Sequence, residues 1–85
     1  MAIVTLRYWA AAKDAAGCDE EKVEARTLAG ALAAAVGAGD PARLQAVIAR
    51  SSFLINGDPV GKRPRDSVSL PDDAVVEVLP PFAGG

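Results

Sequence analysis

The last strand of this chain is stopped by its own sequence. Val75-Val76-Glu77-Val78-Leu79 is an apolar, β-branched run, and Pro80-Pro81 comes directly after it with no spacer. Proline has no N–H to give a ladder and its φ is fixed, so a sheet cannot run through this point. The chain then closes with Phe82-Ala83-Gly84-Gly85. Glycines without side chains fit a narrow channel that would exclude larger residues. Fully extended, the stretch from Pro80 onward reaches roughly 20 Å from the body. At its tip stands an α-carboxylate. Such an end either frays in solvent or is carried, as a reactive group, into another protein's active site.

Everything before it must fit one small domain. A chain of 85 residues makes a single body that buries roughly 60–65% of its unfolded surface. The expected division is a body over residues 1–79 and a flexible tail over residues 80–85. Alanine, which buries little area, supplies much of the 51% hydrophobic content. That leaves little room for both a core and a deep pocket. Net charge is −2 and only Lys62-Arg63-Pro64-Arg65 is a basic cluster, whereas nucleic acid phosphates demand clustered cations. No nucleic acid partner is expected. Cys18 is the single cysteine, so no internal disulfide points to an oxidising compartment. Met1 to Arg7 lacks the charged lead and long apolar run of a signal peptide. No segment approaches the roughly 20 apolar residues of a membrane span. A soluble, cytoplasmic protein without membrane contact is the expectation.

Residues 3–9, rich in β-branched and aromatic types, predict a strand. Alternation sets Val4, Leu6 and Tyr8 on the core face and Ile3, Thr5, Arg7 and Trp9 on the other. Trp9 then either packs under a neighbouring loop or stands as an exposed anchor for a partner. Ala10 to Ala16 predicts one or two helical turns closed by Gly17. Cys18 to Glu21 reads as a turn, and Glu20 to Arg26 as a second strand with Val23 and Ala25 on one face. Thr27 is a good N-cap. Behind it Leu28, Leu32, Ala35 and Val36 recur at helical spacing. They define the expected main helix, ending at Gly37-Ala38-Gly39. Asp40-Pro41 restarts a helix with Leu44, Val47 and Ile48 as its stripe. Ser52 to Ile55 reads as a short strand, Asn56-Gly57 as a hairpin turn, and a returning strand is expected near Val60. Arg63 to Ser69 reads as loop. Pro71-Asp72-Asp73 turns the chain into residues 74–79, where Val76 and Val78 share one face and Val75, Glu77 and Leu79 the other. This order is α+β, with helices on one face of a mixed sheet. If the first and last strands pair centrally they run parallel, which is the β-grasp (ubiquitin-like) arrangement.

Catalytic parts are scarce. The chain has no histidine, so the commonest general base near neutral pH is missing, and with it any Ser-His-Asp or Cys-His pair. Acidic residues fall as adjacent pairs in turns, such as Asp72-Asp73, and read as solvated; no metal is expected. Gly57 to Lys62 resembles a phosphate-binding loop only superficially. Three residues separate its glycines where four are needed, and Arg63-Pro64 replaces the hydroxyl residue and helix that should come next. Acidic neighbours beside Cys18 disfavour a thiolate, so it reads as a bystander. The terminal carboxylate remains. It is a poor electrophile and must be activated, for instance by adenylation with ATP. With no nucleotide site in view, a separate protein would do this.

The residues also carry a family likeness over essentially the whole chain. Its parts are the strand Val4 to Trp9, the segment Ala10 to Gly17, Thr27-Leu28 opening a helix, Ile55-Asn56-Gly57 in the hairpin, and Pro80-Pro81-Phe82-Ala83-Gly84-Gly85. Lys13-Asp14 stands where the family commonly shows Arg-Glu, which keeps the charges but loses the guanidinium fork. The chain resembles the ubiquitin-like sulfur carriers, and most closely the small subunits of molybdopterin synthase. The resemblance implies a β-grasp fold with no bound cofactor. An ATP-dependent, E1-like adenylating enzyme would activate the Gly85 carboxylate, and sulfur delivery would leave a Gly85 thiocarboxylate. The tail of Pro80, Pro81, Phe82, Ala83 and Gly84 would carry that group into the large subunit, where it builds the dithiolene of the molybdenum cofactor within a heterotetramer. Trp9, Leu79 and Phe82 are the expected apolar docking patch. Thiamine, cysteine or tRNA thiolation and ubiquitin-like protein modification are the alternatives.

Overall fold

Two β-branched segments from opposite ends of the sequence meet at the centre of one sheet. The structure is a computed structural model and describes residues 2–81. Its strands are β1 (Ile3–Tyr8), β2 (Glu20–Glu24), β3 (Ser52–Ile55), β4 (Asp58–Pro59) and β5 (Val75–Leu79), in the spatial order β2-β1-β5-β3-β4. β1 and β5 pair in parallel, from Thr5↔Val75 to Tyr8↔Val78. The other pairings are antiparallel. Three helices, α1 (Ala10–Ala16), α2 (Leu28–Ala33) and α3 (Pro41–Ala49), supply the other half of the core. This is the β-grasp arrangement.

The alternation read from sequence decides which face is covered. Val4, Leu6 and Tyr8 of β1 and Val76 and Val78 of β5 are buried against Leu28, Leu44 and Ile48. Each such aliphatic side chain contributes roughly 1.5–3 kcal/mol on burial. Gly17 closes α1 at φ +71° with its N–H on the Lys13 carbonyl. Thr27 caps α2 by accepting from the Gly30 N–H, and Asp40 caps α3 by accepting from Ala42 and Arg43, with Pro41 in its first turn. Asn56 and Gly57 both take positive φ, +49° and +87°, as the type I′ hairpin requires.

The local expectations are corrected at the main helix and made more definite at three other places. The helix expected to run from Leu28 to Val36 stops at Ala33, so α3 is the longer one. Val36 is 57% exposed instead of facing the core. The cause is a carboxylate from another element. Glu21 accepts from the N–H of Val36 (3.3 Å) and of Gly37 (2.7 Å), taking both out of a helical ladder. Gln45 Nε2 meanwhile donates to the Leu32 and Ala35 carbonyls at 2.8 and 3.1 Å. Secondly, Glu20 and Glu21, which the turn and the second strand both claimed, belong to the strand, where they pair with Arg7 and Leu6; β2 ends at Glu24, short of Arg26. Thirdly, the returning strand expected near Val60 is there, as Asp58–Pro59 paired with β3, and Val60 adds a bond to the Phe53 carbonyl at 3.0 Å. Lastly, the loop from Arg63 to Ser69 contains one 3-10 turn, Arg65–Ser67. Its Arg65 lies 4.6 Å over the Phe53 ring and points Nη2 at the Ile48 and Ala49 carbonyls at the end of α3, where a cation complements the helix dipole.

Tyr8 joins this network. It is 2% exposed, and its hydroxyl donates to Glu21 Oε2 at 2.6 Å. Burial first, then this hydrogen bond to a carboxylate, push its ionisation far above the usual tyrosine value. A raised folded value means stability that is complete below about pH 10, the unfolded value, and is lost as pH rises above it. Tyr8 is the only tyrosine, so tyrosinate absorbance reports it alone. We expect no tyrosinate signal at the pH where free tyrosine ionises, and its appearance only together with loss of the far-UV CD signal. A signal that titrates like free tyrosine in the folded protein would contradict this.

Candidate docking face and tail exit

Among the described residues no helix covers the sheet face away from α1, α2 and α3, and its composition is mixed. Register sets Glu20, Arg7, Glu77 and Leu54 in one row across four strands. Around that row lie Ile3, 41% exposed, and the half-buried Val75 and Leu79. Arg7 Nε stands 3.5 Å from Glu20 Oε2, an exposed pair of the kind that contributes little to stability.

Trp9 begins where β1 ends. Its backbone N–H donates to the Val78 carbonyl at 3.3 Å, and its own carbonyl accepts from Ala12 and Lys13 at the start of α1. The main chain is thus held from both sides, while the indole stays 45% exposed. Indole Nε1 donates to Glu77 Oε1 at 3.2 Å, which ties the ring to the open face next to Leu79. It does not pack under a loop. An exposed tryptophan whose position is already fixed loses little entropy on contact, and that residue type dominates binding energies at interfaces.

The tail leaves from the most firmly held strand. β5 has a hydrogen-bonded neighbour on each side, with Tyr8↔Val78 and Ser52↔Leu79 as its last pairs. Pro80 is half-buried and Pro81 exposed. The two prolines, together with Ala11 of α1 and Arg43, Ala46, Val47 and Arg50 of α3, line a groove of about 270 Å³.

Of the predicted site residues, Trp9 and Leu79 share the open face. Pro80 and Pro81 mark the exit. Phe82, Ala83, Gly84 and Gly85 lie outside the described residues. Lys13 pairs with Asp19 at 2.9 Å, which raises its ionisation and ties α1 to the loop before β2. Cys18 is half-buried against the core. Gly57 to Lys62 forms the second half of the hairpin and the turn after it, without a helix. The Glu77–Trp9 bond was missed by sequence reasoning because only strand register brings residues 68 positions apart together.

A profile of the ThiS family matches residues 6–85. No curated protein sequence matches the chain. Among solved structures, small archaeal modifier protein 1 from Methanosarcina acetivorans is 25% identical with a TM-score of 0.82, covering 100% of this chain and 98% of that one. The protein of the same name from Haloferax volcanii is 22% identical with a TM-score of 0.77, over 98% and 99% of the two chains. In the complex of subunits 1 and 2 of the molybdopterin-converting factor from Helicobacter pylori, one chain is 20% identical with a TM-score of 0.66, over 98% and 99%. The last two likenesses bear on fold alone. Among the described residues, no helix is long and apolar enough to cross a membrane.

Proposed function

This chain belongs to the ThiS family of ubiquitin-like sulfur carriers, and from that premise we propose that it is the sulfur-donating small subunit of a molybdopterin synthase. The observation that carries the reading is the junction of Leu79 with Pro80. A central strand, hydrogen-bonded on both sides, runs straight into Pro-Pro and then into a Gly-Gly end. A rigid body therefore holds the root of a tail whose last residues carry no bulk.

The chemistry uses the tail alone. Gly85 supplies a carboxylate oxygen that attacks the α-phosphate of ATP on an E1-like partner, and pyrophosphate leaves. Hydrosulfide then attacks the acyl carbon and AMP departs with loss of a proton, leaving a thiocarboxylate. Its sulfur is the nucleophile toward the molybdopterin precursor, cyclic pyranopterin monophosphate, in the large subunit. The chain has no histidine, and among the described residues no cluster of His, Cys, Asp and Glu side chains is grouped to hold a metal ion; in this reading its own contribution is docking and reach. Pro80 and Pro81 stiffen the base of the tail and reduce the entropy lost when it is threaded. Trp9, Leu79 and Phe82 form the docking patch. Support for a large-subunit partner comes from the Helicobacter pylori complex, whose subunit 1 shares this fold.

Trp9→Ala is expected to weaken large-subunit binding by about 2 kcal/mol or more, the scale of an interface hot spot, while leaving the melting temperature nearly unchanged because the indole is half in solvent. Calorimetry with the purified large subunit measures this, and unchanged affinity would remove Trp9 from the patch. Reconstitution with the large subunit and the pterin precursor tests the function. Dithiolene formation supports it, and none with a fully thiocarboxylated chain contradicts it. A second reading, attachment to other proteins through Gly85, is favoured by the likeness to a small archaeal modifier protein. Its signature would be an isopeptide between Gly85 and a lysine.

A further inference from the structure

The groove at the tail exit has a composition that the docking patch does not use. On α3, Arg43, Ala46, Val47 and Arg50 recur at the spacing of one helical face. The middle of that stripe is small and apolar, and each end carries an exposed arginine. Several other cations of the chain are already engaged. Arg7 pairs with Glu20 and Lys13 with Asp19. Arg63 donates to the Val60 and Pro59 carbonyls, and Arg65 to those of Ile48 and Ala49. Among the described residues, Arg43 and Arg50 take part in no ion pair, and α3 itself carries no acidic side chain.

The groove also adjoins the face assigned to docking. Ala11 lies two residues beyond Trp9, and Pro80-Pro81 follows Leu79 directly; Ala11 and the two prolines form the groove's other wall. The Trp9 N–H on the Val78 carbonyl holds these two connections side by side. A protein that covers Trp9 and Leu79 and takes the tail therefore meets this groove. Its charge sets what fits. Arg43 and Arg50 are separated by about 10 Å along the helix axis at 1.5 Å per residue. The apolar middle between them would be a gap under a nucleic acid backbone, whose phosphates demand clustered cations. Resting on the proposed function, we propose that the groove receives an acidic segment of the large subunit, with an apolar side chain on Ala46 and Val47 and a carboxylate on each arginine. The guanidinium fork meets a carboxylate in two parallel hydrogen bonds, and it is more weakly hydrated than an ammonium when an interface closes over it. A second contact beside the exit fixes how the body is turned about its tail.

Calorimetry with the full chain and the purified large subunit tests it. Replacing Arg43 and Arg50 together by glutamate is expected to weaken binding at least about tenfold, since like charges facing each other across an interface repel, and to flatten the dependence of affinity on salt. Arg43→Lys with Arg50→Lys should retain that salt dependence. Ala46→Tyr, at an exposed position, should fill the groove and weaken binding without changing the melting temperature. Arg26→Glu with Lys62→Glu makes the same change in net charge at exposed positions outside the groove lining and should leave affinity near the parental value. Glutamate variants that bind like the parent while Trp9→Ala does not would overturn the groove and leave the carrier reading standing. An equal loss in the control pair would overturn it as well, because net charge alone would then account for the effect. So would a parent chain that sediments as a dimer and a glutamate variant that sediments as a monomer, which would give the groove to a second copy. A parent chain that does not bind the large subunit would remove that partner from both readings.

Discussion

A chain extended by one residue beyond Gly85 is expected to lose sulfur loading by at least about 100-fold, the cost of misplacing a reacting group by an ångström or more. The added residue moves the carboxylate by about 3.5 Å and places a side chain where the sequence keeps two glycines. Adenylation needs the carboxylate itself, and an amide at Gly85 has none to offer. The body should not notice. Its last strand ends at Leu79, so thermal unfolding of the extended chain, and of one ending at Ala83, should match the parent. Loading is measured by transfer of labelled sulfur to the chain, and mass spectrometry establishes that the extension is still present. An untrimmed extended chain that supported dithiolene formation at the parental rate would contradict the role assigned to Gly85.

The largest effect expected on stability comes from a glycine in a loop. Gly37 sits at φ +60°, and a Cβ there would meet the Ala16 carbonyl oxygen at 2.7 Å and its Cα at 2.9 Å. These are backbone atoms at the end of α1 and have no rotamer to turn away. Ala38 and Gly39 also donate to the Ala16 carbonyl, at 2.6 and 3.1 Å, so the loop cannot drift off without losing those bonds. Gly37→Ala therefore adds left-handed strain of about 1–2 kcal/mol to an overpacking cost of roughly 1–3 kcal/mol. At about 4–8 °C per kcal/mol for a domain of this size, the melting temperature should fall by about 8 °C or more. Gly57 is the control: it too has positive φ, +87°, but beyond its own chain neighbours no described atom lies within 4 Å of its Cβ position. Gly57→Ala should carry strain alone. Equal melting temperatures for the two variants by CD would show that the close approach of residue 37 to α1 is not rigid.

These two glycines also show what the sequence made legible. Asn56-Gly57 announced its turn because a hairpin is local, and the chemistry of positive φ is written in the residues themselves. Thr27, Asp40-Pro41 and Gly17 were readable as caps for the same reason. Strand alternation in residues 3–8 and 75–79 was enough to separate core from open face, and the parallel pairing of the end strands agreed with chain order. Gly37 is different. Its constraint is Ala16, and the helix before it ends early because Glu21 takes the N–H groups of Val36 and Gly37. Helical spacing at Leu28, Leu32, Ala35 and Val36 cannot reveal a carboxylate arriving from β2. Trp9 was legible as a candidate anchor, but its choice between loop and open face depended on Glu77, and only the β1–β5 register brings that residue beside it. The tail was conspicuous from composition alone, because Pro-Pro with Gly-Gly close behind it makes no sense as sheet or helix.

The intact mass of the chain purified from the cells that make it, with fragmentation to locate any change, bears most directly on the central claim. The account predicts a fraction heavier by the difference between one sulfur and one oxygen atom, localised to Gly85 and lost on treatment with an alkylating agent that caps the thiocarboxylate. A chain found only with an unmodified Gly85, or only joined through it to lysines of other proteins, under conditions where molybdenum cofactor is being made, would contradict it.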